Sequence, residues 1–72
     1  MVSINVEYRD GKSVSVHNVE EVRYNWANNR VILNGIDIAG HSIPIGANIF
    51  CIGTSQSSYI DTEGAFLIQV NV

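Results

Sequence analysis

The chain is short of most residues that strengthen or protect a small domain. It has a single cysteine, Cys51, so no disulfide can form within it, and that usage fits a reducing, cytoplasmic setting. It has one lysine, Lys12, and four basic residues in all against seven acidic ones, for a net charge of −3. Binding nucleic acid by counter-ion release takes several basic contacts, so this balance argues against a nucleic-acid partner. The one proline is Pro44. No apolar run approaches the roughly 18 residues of a membrane-spanning helix, so no membrane partner is expected. The first ten residues lack the basic segment and apolar run of a secretory signal. No linker, low-complexity tract or composition shift divides the chain, so residues 1–72 read as one small β domain.

What the sequence does have is side chains branched at Cβ. Hydrophobic residues make up 46% of it, and Val and Ile dominate that fraction. Branched side chains lose rotamer freedom in a helix and pack well on a pleated surface. A helical domain of this size would lean on Leu, Ala, Glu and Lys instead. Charge is scarce, and the polar surface falls mostly to Asn and Ser. So few charges leave sheet edges poorly guarded against pairing. Some edge or face is therefore expected to be covered by another protein or by a second copy, giving a homo-oligomer; a closed barrel without free edges is the alternative.

Periodicity places the strands. Val2, Ile4, Val6 and Tyr8 alternate with Ser3, Asn5, Glu7 and Arg9, the pattern of a strand buried on one face. Asp10-Gly11 then marks a hairpin, and a second strand is expected over Lys12 to His17. The phase slips next: Val14 and Val16 are even, Val19 is odd, and Val22, Tyr24 and Trp26 are even again. The slip predicts a bend or tight connection between two strands over His17 to Glu21 with Val19 plugging the core, or else a short helical turn over Val19 to Val22. A third strand spans Glu21 to Ala27, followed by a turn at Asn28-Asn29. Arg30 to Leu33 is extended; Gly35 either turns a hairpin to Ile36–Ile38 or makes a bulge. Ser42 to Ile45 is expected to be extended at an edge or strand start, given Pro44. The run Ile49-Phe50-Cys51-Ile52 is apolar at every position and predicts a strand buried on both faces. Residues 54–58 form a polar loop, Tyr59-Ile60 is short and extended, and Asp61 to Gly64 is a turn. A last strand alternates Phe66, Ile68, Val70 and Val72 with Leu67, Gln69 and Asn71. The expected fold is all-β, a small antiparallel rolled sheet or barrel of about five to seven short strands. Tyr8, Val22, Tyr24, Trp26, Leu33, Phe50, Ile52, Phe66 and Ile68 are expected to form much of its core.

Chemistry finds little footing. A zinc site needs about four ligands at characteristic spacing, and His17, His41 and Cys51 show none, so no metal or other cofactor is expected. Cys51 sits among apolar residues, where a thiol behaves as a small buried hydrophobe and not as a nucleophile. Glu20 and Glu21 are neighbours, which a strand points to opposite faces, so they are no acid–base pair. The glycines fit turns and breaks and form no phosphate-binding pattern. The enzymatic reading is therefore set aside. In a nucleic-acid-binding barrel, Tyr8, Tyr24, Trp26 and Tyr59 would stack bases beside Arg9, Arg23 and Arg30, but these aromatics share the parity of the core valines and are expected to face inward.

The stretch from Val6 to Gly35, VEYRDGKSVSVHNVEEVRYNWANNRVILNG, followed by SIPIGANI, resembles short uncharacterised β-sheet proteins of Gram-positive bacteria and their phages. The likeness runs through the Asp-Gly hairpin, the Asn-Val-x-x-Val corner and the Ile-Pro segment, and it implies no catalytic residue. The function expected is a non-enzymatic protein-interaction or self-assembling module acting through a sheet edge or an apolar, aromatic face. Two alternatives stand beside it: a phage-type inhibitor that binds a host enzyme through acidic residues, and a nucleic-acid-binding small barrel. The candidate interaction residues are Glu20, Glu21, Arg23, Asp61 and Glu63.

Overall fold

Alternation of branched residues makes β1 (Val2–Tyr8) a strand whose inner face, Val2, Ile4 and Val6, is buried. The chain turns at Arg9–Gly11. The Tyr8 carbonyl accepts from the Gly11 N–H at 3.1 Å, and the Tyr8 N–H donates to the Lys12 carbonyl at 2.8 Å. Gly11, at φ +91°, supplies the left-handed residue that such a three-residue loop needs. In the computed structural model, which describes residues 2–71 apart from the side chain of Ile36, this hairpin belongs to an all-β fold. Its six strands form one antiparallel, rolled sheet that does not close.

The long strand β2 (Ser13–Trp26) organises that sheet. The expected phase slip is a bend within this one strand, not a connection between two, and no helical turn forms. Asn18 adopts φ 57°, and the register shifts around Val19, which is buried as a plug. Beyond the bend, β2 pairs with β3 (Asn29–Asn34) and with β4 (Asn48–Gly53). Val19 pairs with both Val2 and Gly53, and Val22 with both Leu33 and Cys51. Hence β1 and β3 share one flank of β2, and β4 lies on the other. β5 (Ser57–Asp61) pairs with β4, and β6 (Ala65–Asn71) with β1, giving the order β5-β4-β2-β1-β6 with β3 beside β2.

The second hairpin turns at Ala27-Asn28, one residue before the expected Asn28-Asn29. Both turn residues are left-handed, at φ 52° and 67°, the two-residue turn that matches the twist of paired strands. Asn tolerates that region, whereas alanine occupies it at a cost of about 1 kcal/mol. Ala27→Asn should therefore stabilise the fold by about 0.5–1 kcal/mol, read from the urea midpoint at unchanged slope.

Gly35, at φ 52°, ends β3 and opens a 3-10 turn over Gly35–Asp37. Neither the hairpin to Ile36–Ile38 nor a bulge forms there. Ser42 to Ile45 is likewise not a strand. The segment from Ile38 to Ala47 is a loop that inserts Ile38, Ile43 and Ala47 into the core. Its apolar residues read as strand material because they are buried, but the burial comes from plugging the roll. Tyr24 Oη lies 2.6 Å from His41 Nε2 and ties this loop to β2.

The fully buried side chains are Ile4, Val6, Val22, Ile38, Ile49, Cys51 and Thr62. Of the expected core, Val22 and Tyr24 are buried, and Tyr8, Leu33 and Ile68 pack against the core partly exposed; Ile52 is half-buried. Trp26, Phe50 and Phe66 are exposed, each for a local reason. Phe50 alternates with inward Ile49 and Cys51, and a single rolled sheet has no second layer on its outer face. Phe66 is the residue skipped where the register shifts between Glu7↔Leu67 and Tyr8↔Ala65. Trp26 ends β2 and lies along Gly46, where an added Cβ would stand 3.6 Å from its ring. Val72, expected on the inner face, lies outside the described residues.

Candidate binding face

Strand register fixes which side chains stand together on the outer face. Ile32 on β3 opposes Arg23 on β2, Arg23 opposes Phe50 on β4, and Phe50 opposes Tyr59 on β5. Directly opposed residues of antiparallel strands keep their side chains about 5 Å apart. The result is one row, Ile32–Arg23–Phe50–Tyr59, running across four strands. Tyr59 is 63% exposed, Ile32 47% and Phe50 40%. Scattered apolar residues on a surface are ordinary, but three in one row with an arginine between them are a patch.

Polar residues border the row. On one side of it Arg30 opposes Asn25 and Asn48 opposes Asp61, and on the other Glu21 stands between Asn34 and Ile52. A shallow groove of about 460 Å³ is lined by Arg23, Asn25, Arg30, Asn48, Phe50 and Tyr59, among others. Arg23 Nε donates to Glu21 Oε2 at 2.6 Å, an ion pair that offsets the guanidinium's charge. Two arginines against Glu21 and Asp61 leave the face near neutral.

The expected interaction residues are spread over the molecule. Glu21 and Arg23 come together as an ion pair on the outer face. Glu20 sits at the bend, where its Oε1 accepts from Thr54 Oγ1 at 3.2 Å. Asp61 shapes the turn after β5: its Oδ1 accepts the Glu63 N–H at 2.9 Å, and its carbonyl accepts the Tyr8 hydroxyl at 2.5 Å. Desolvation, then the nearby Asp61 and Asp10 carboxylates, push the Tyr8 hydroxyl above its ordinary pKa, so it stays protonated as that donor. Glu21 and Asp61 stand opposite Ile52 and Asn48, four residues or about 13 Å apart along β4, so the acidic residues do not converge.

Sequence reasoning missed Ile32, Phe50 and Tyr59 as surface residues. The one usable signal was Arg23: its parity marks the outer face of β2, and pairing carries that face to Phe50 and Tyr59. Elsewhere, Cys51 is buried, and burial pushes its thiol up to about 11, well away from a reactive thiolate. Among the described residues no three His, Cys, Asp or Glu side chains gather as a metal site, and no helix is long and apolar enough to cross a membrane. Compared with family models, with curated proteins and with solved structures, the chain matches none of them.

Proposed function

We propose that the protein is a non-enzymatic binding module that holds a partner protein on the outer face of β3, β2, β4 and β5. The observation that carries this reading is the cross-strand pair Phe50–Tyr59, exposed beside Arg23 and Ile32 on a face with no covering layer. Tyrosine, phenylalanine and arginine are the residue types enriched at protein interfaces, and Lys and Glu are depleted there. Tyr and Arg in particular form the few contacts that dominate binding energy. The face has this composition: no lysine stands on it, and its glutamate is already paired to Arg23.

One observation favours a second reading, nucleic acid. The argument from inward-facing aromatics holds for Tyr24 but not for Tyr59, which is outward beside Phe50, Arg23 and Arg30. Exposed rings next to arginines can stack bases. The near-neutral face favours protein instead, since backbone phosphates call for a surplus of positive charge. The inhibitor reading draws on acidic residues that lie apart and gains no support from the aromatic row.

The test is photo-crosslinking in the source cell, with the probe residue placed at Tyr59 in one variant and at Leu67, on the outer face of β6, in another. A discrete protein adduct from position 59 and none from position 67 supports the proposal. Adducts to nucleic acid alone support the second reading, an adduct with the mass of two chains supports self-assembly, and equal labelling from both positions rejects a dedicated face.

A further inference from the structure

We propose that the vacant flank of β2 over Ser13–His17 accepts an uncharged extended peptide as an added strand. This site shares no residue with the Tyr59 row, so the two proposals stand or fall separately.

The vacancy follows from strand lengths. β2 has fourteen residues, and β1 covers one flank of its first half. The other flank is paired by β4 only from Val19 to Tyr24. Among the described residues nothing pairs with Ser13–His17 there. β4 leaves β2 at Gly53, which packs so close that a Cβ on it would stand 3.0 Å from the Asn18 carbonyl oxygen. The Gly53 N–H then donates to the Gln56 carbonyl at 2.7 Å, and this turn carries the chain away into β5. A groove of about 440 Å³ is left between the flank and the turn.

Hydrogen-bond alternation aims the main chain of β2 into that groove. Tyr8 donates to the Lys12 carbonyl, so Tyr8–Lys12 is a bonded pair. In an antiparallel ladder every second pair is bonded. The register Val6↔Val14 and Ile4↔Val16 then turns the main-chain groups of Val14 and Val16 toward β1. Those of Ser13 and Ser15 point the other way, two donors and two acceptors at strand spacing, up to the register shift that follows Val16. An added strand is the ligand whose own backbone complements that array.

The lining gives the side-chain chemistry. Val16 and Cys51 form an apolar floor, and Ser15, Thr54, Gln56 and Ser58 supply polar walls. The lining contains no carboxylate, ammonium or guanidinium; the imidazole of His17 is in it, and the nearby Glu20 carboxylate is already taken by Thr54 Oγ1 at 3.2 Å. A charged guest side chain would therefore lose water without a dedicated counter-charge. The inner layer is also incomplete here: Val14 is 39% exposed, whereas its partner Val6 on β1 is fully buried. A guest that alternates small apolar with hydroxyl side chains would cover Val14 and Val16 and present its hydroxyls outward. A second copy does not fit the space. Antiparallel pairing of two such flanks about Ser15 would set Lys12 of one beside Asn18 of the other, where Gly53 already stands.

The probe is the blocked peptide acetyl-Thr-Val-Ser-Val-Thr-amide, titrated into the labelled protein and followed by NMR. Saturable shifts over Ser13–His17, and slowing of amide exchange at Ser13 and Ser15 by about tenfold or more, are expected. N-methylating the guest amides that face β2 should weaken binding about tenfold or more, the loss of roughly one hydrogen bond or more. Ser15→Pro removes the main-chain donor on the vacant flank, together with the Ser15 Oγ bond to Asn5 Oδ1 on β1 at 2.7 Å, and should abolish the response; the methylated peptide decides the matter whether or not that variant folds. No shifts at millimolar peptide, equal binding of the methylated peptide, or protection that grows with protein concentration alone would each overturn the proposal.

Discussion

Ile38→Ala should lower stability by about 2–4 kcal/mol, although the residue lies in a loop. Its side chain is fully buried in the core with Ile43 and Ala47. Truncation removes the transfer energy of the lost methyl and methylene groups and leaves a cavity, because the surrounding strands cannot collapse onto it. At about 0.05–0.15 kcal/mol per residue, a domain of 72 residues has about 4–11 kcal/mol in total, so this one change removes a large share. Ile45→Ala is the control. Ile45 is seven residues further along the same loop and exposed, so its truncation should stay within about 0.5 kcal/mol. Urea unfolding of the two variants checks both values. Equal effects would mean that the loop does not plug the roll.

That contrast also shows where sequence patterning stops being informative. Two-residue periodicity identified β1, the hairpin at Asp10-Gly11 and the bend at Val19, because each is encoded locally by alternation and turn chemistry. Ile36 and Ile38, and again Ile43 and Ile45, alternate as a strand would, yet Gly35 and Gly40 take positive φ and the segment forms a 3-10 turn followed by a loop. Burial alone does not distinguish a plug from a strand. The candidate face was hidden for a related reason. The run from Ile49 to Ile52 is apolar at every position, which suits a strand with cover on both sides. Here the sheet is a single rolled layer, so alternate residues of that run face outward, and Phe50 is among them. Only pairing with Arg23, a long-range fact, separates the two cases. The vacant flank of β2 is equally invisible to local reading, since it depends on where β4 turns away.

Thr62→Val is expected to cost about 1–3 kcal/mol without altering the size or shape of the core. Among the described residues Thr62 is the one wholly buried polar side chain, and it lies in the connection between β5 and β6, the two ends of the sheet path. Its hydroxyl donates to the Ala47 carbonyl at 2.7 Å and accepts from the Gly46 N–H at 2.8 Å. Valine matches threonine in shape, so packing survives, but both bonds go. The Gly46 N–H then has no protein partner, and the Ala47 carbonyl keeps only the longer bond from the Thr62 N–H at 3.4 Å. Gly46 is exposed and its bond only part-buried, so water can replace that bond in part, and the larger share of the cost falls on the buried bond to the Ala47 carbonyl. Neighbouring ties, from the Tyr8 hydroxyl to Asp61 and from the Arg9 N–H to the Gly64 carbonyl at 3.0 Å, limit the damage to this corner. Thr62→Ser should recover most of the loss, because it restores donor and acceptor and gives up only a methyl group. Denaturant unfolding, with amide exchange read at Gly46, separates the outcomes. If valine is as stable as wild type and Gly46 exchanges no faster, the buried hydroxyl is not what fastens the two ends of the sheet to the loop.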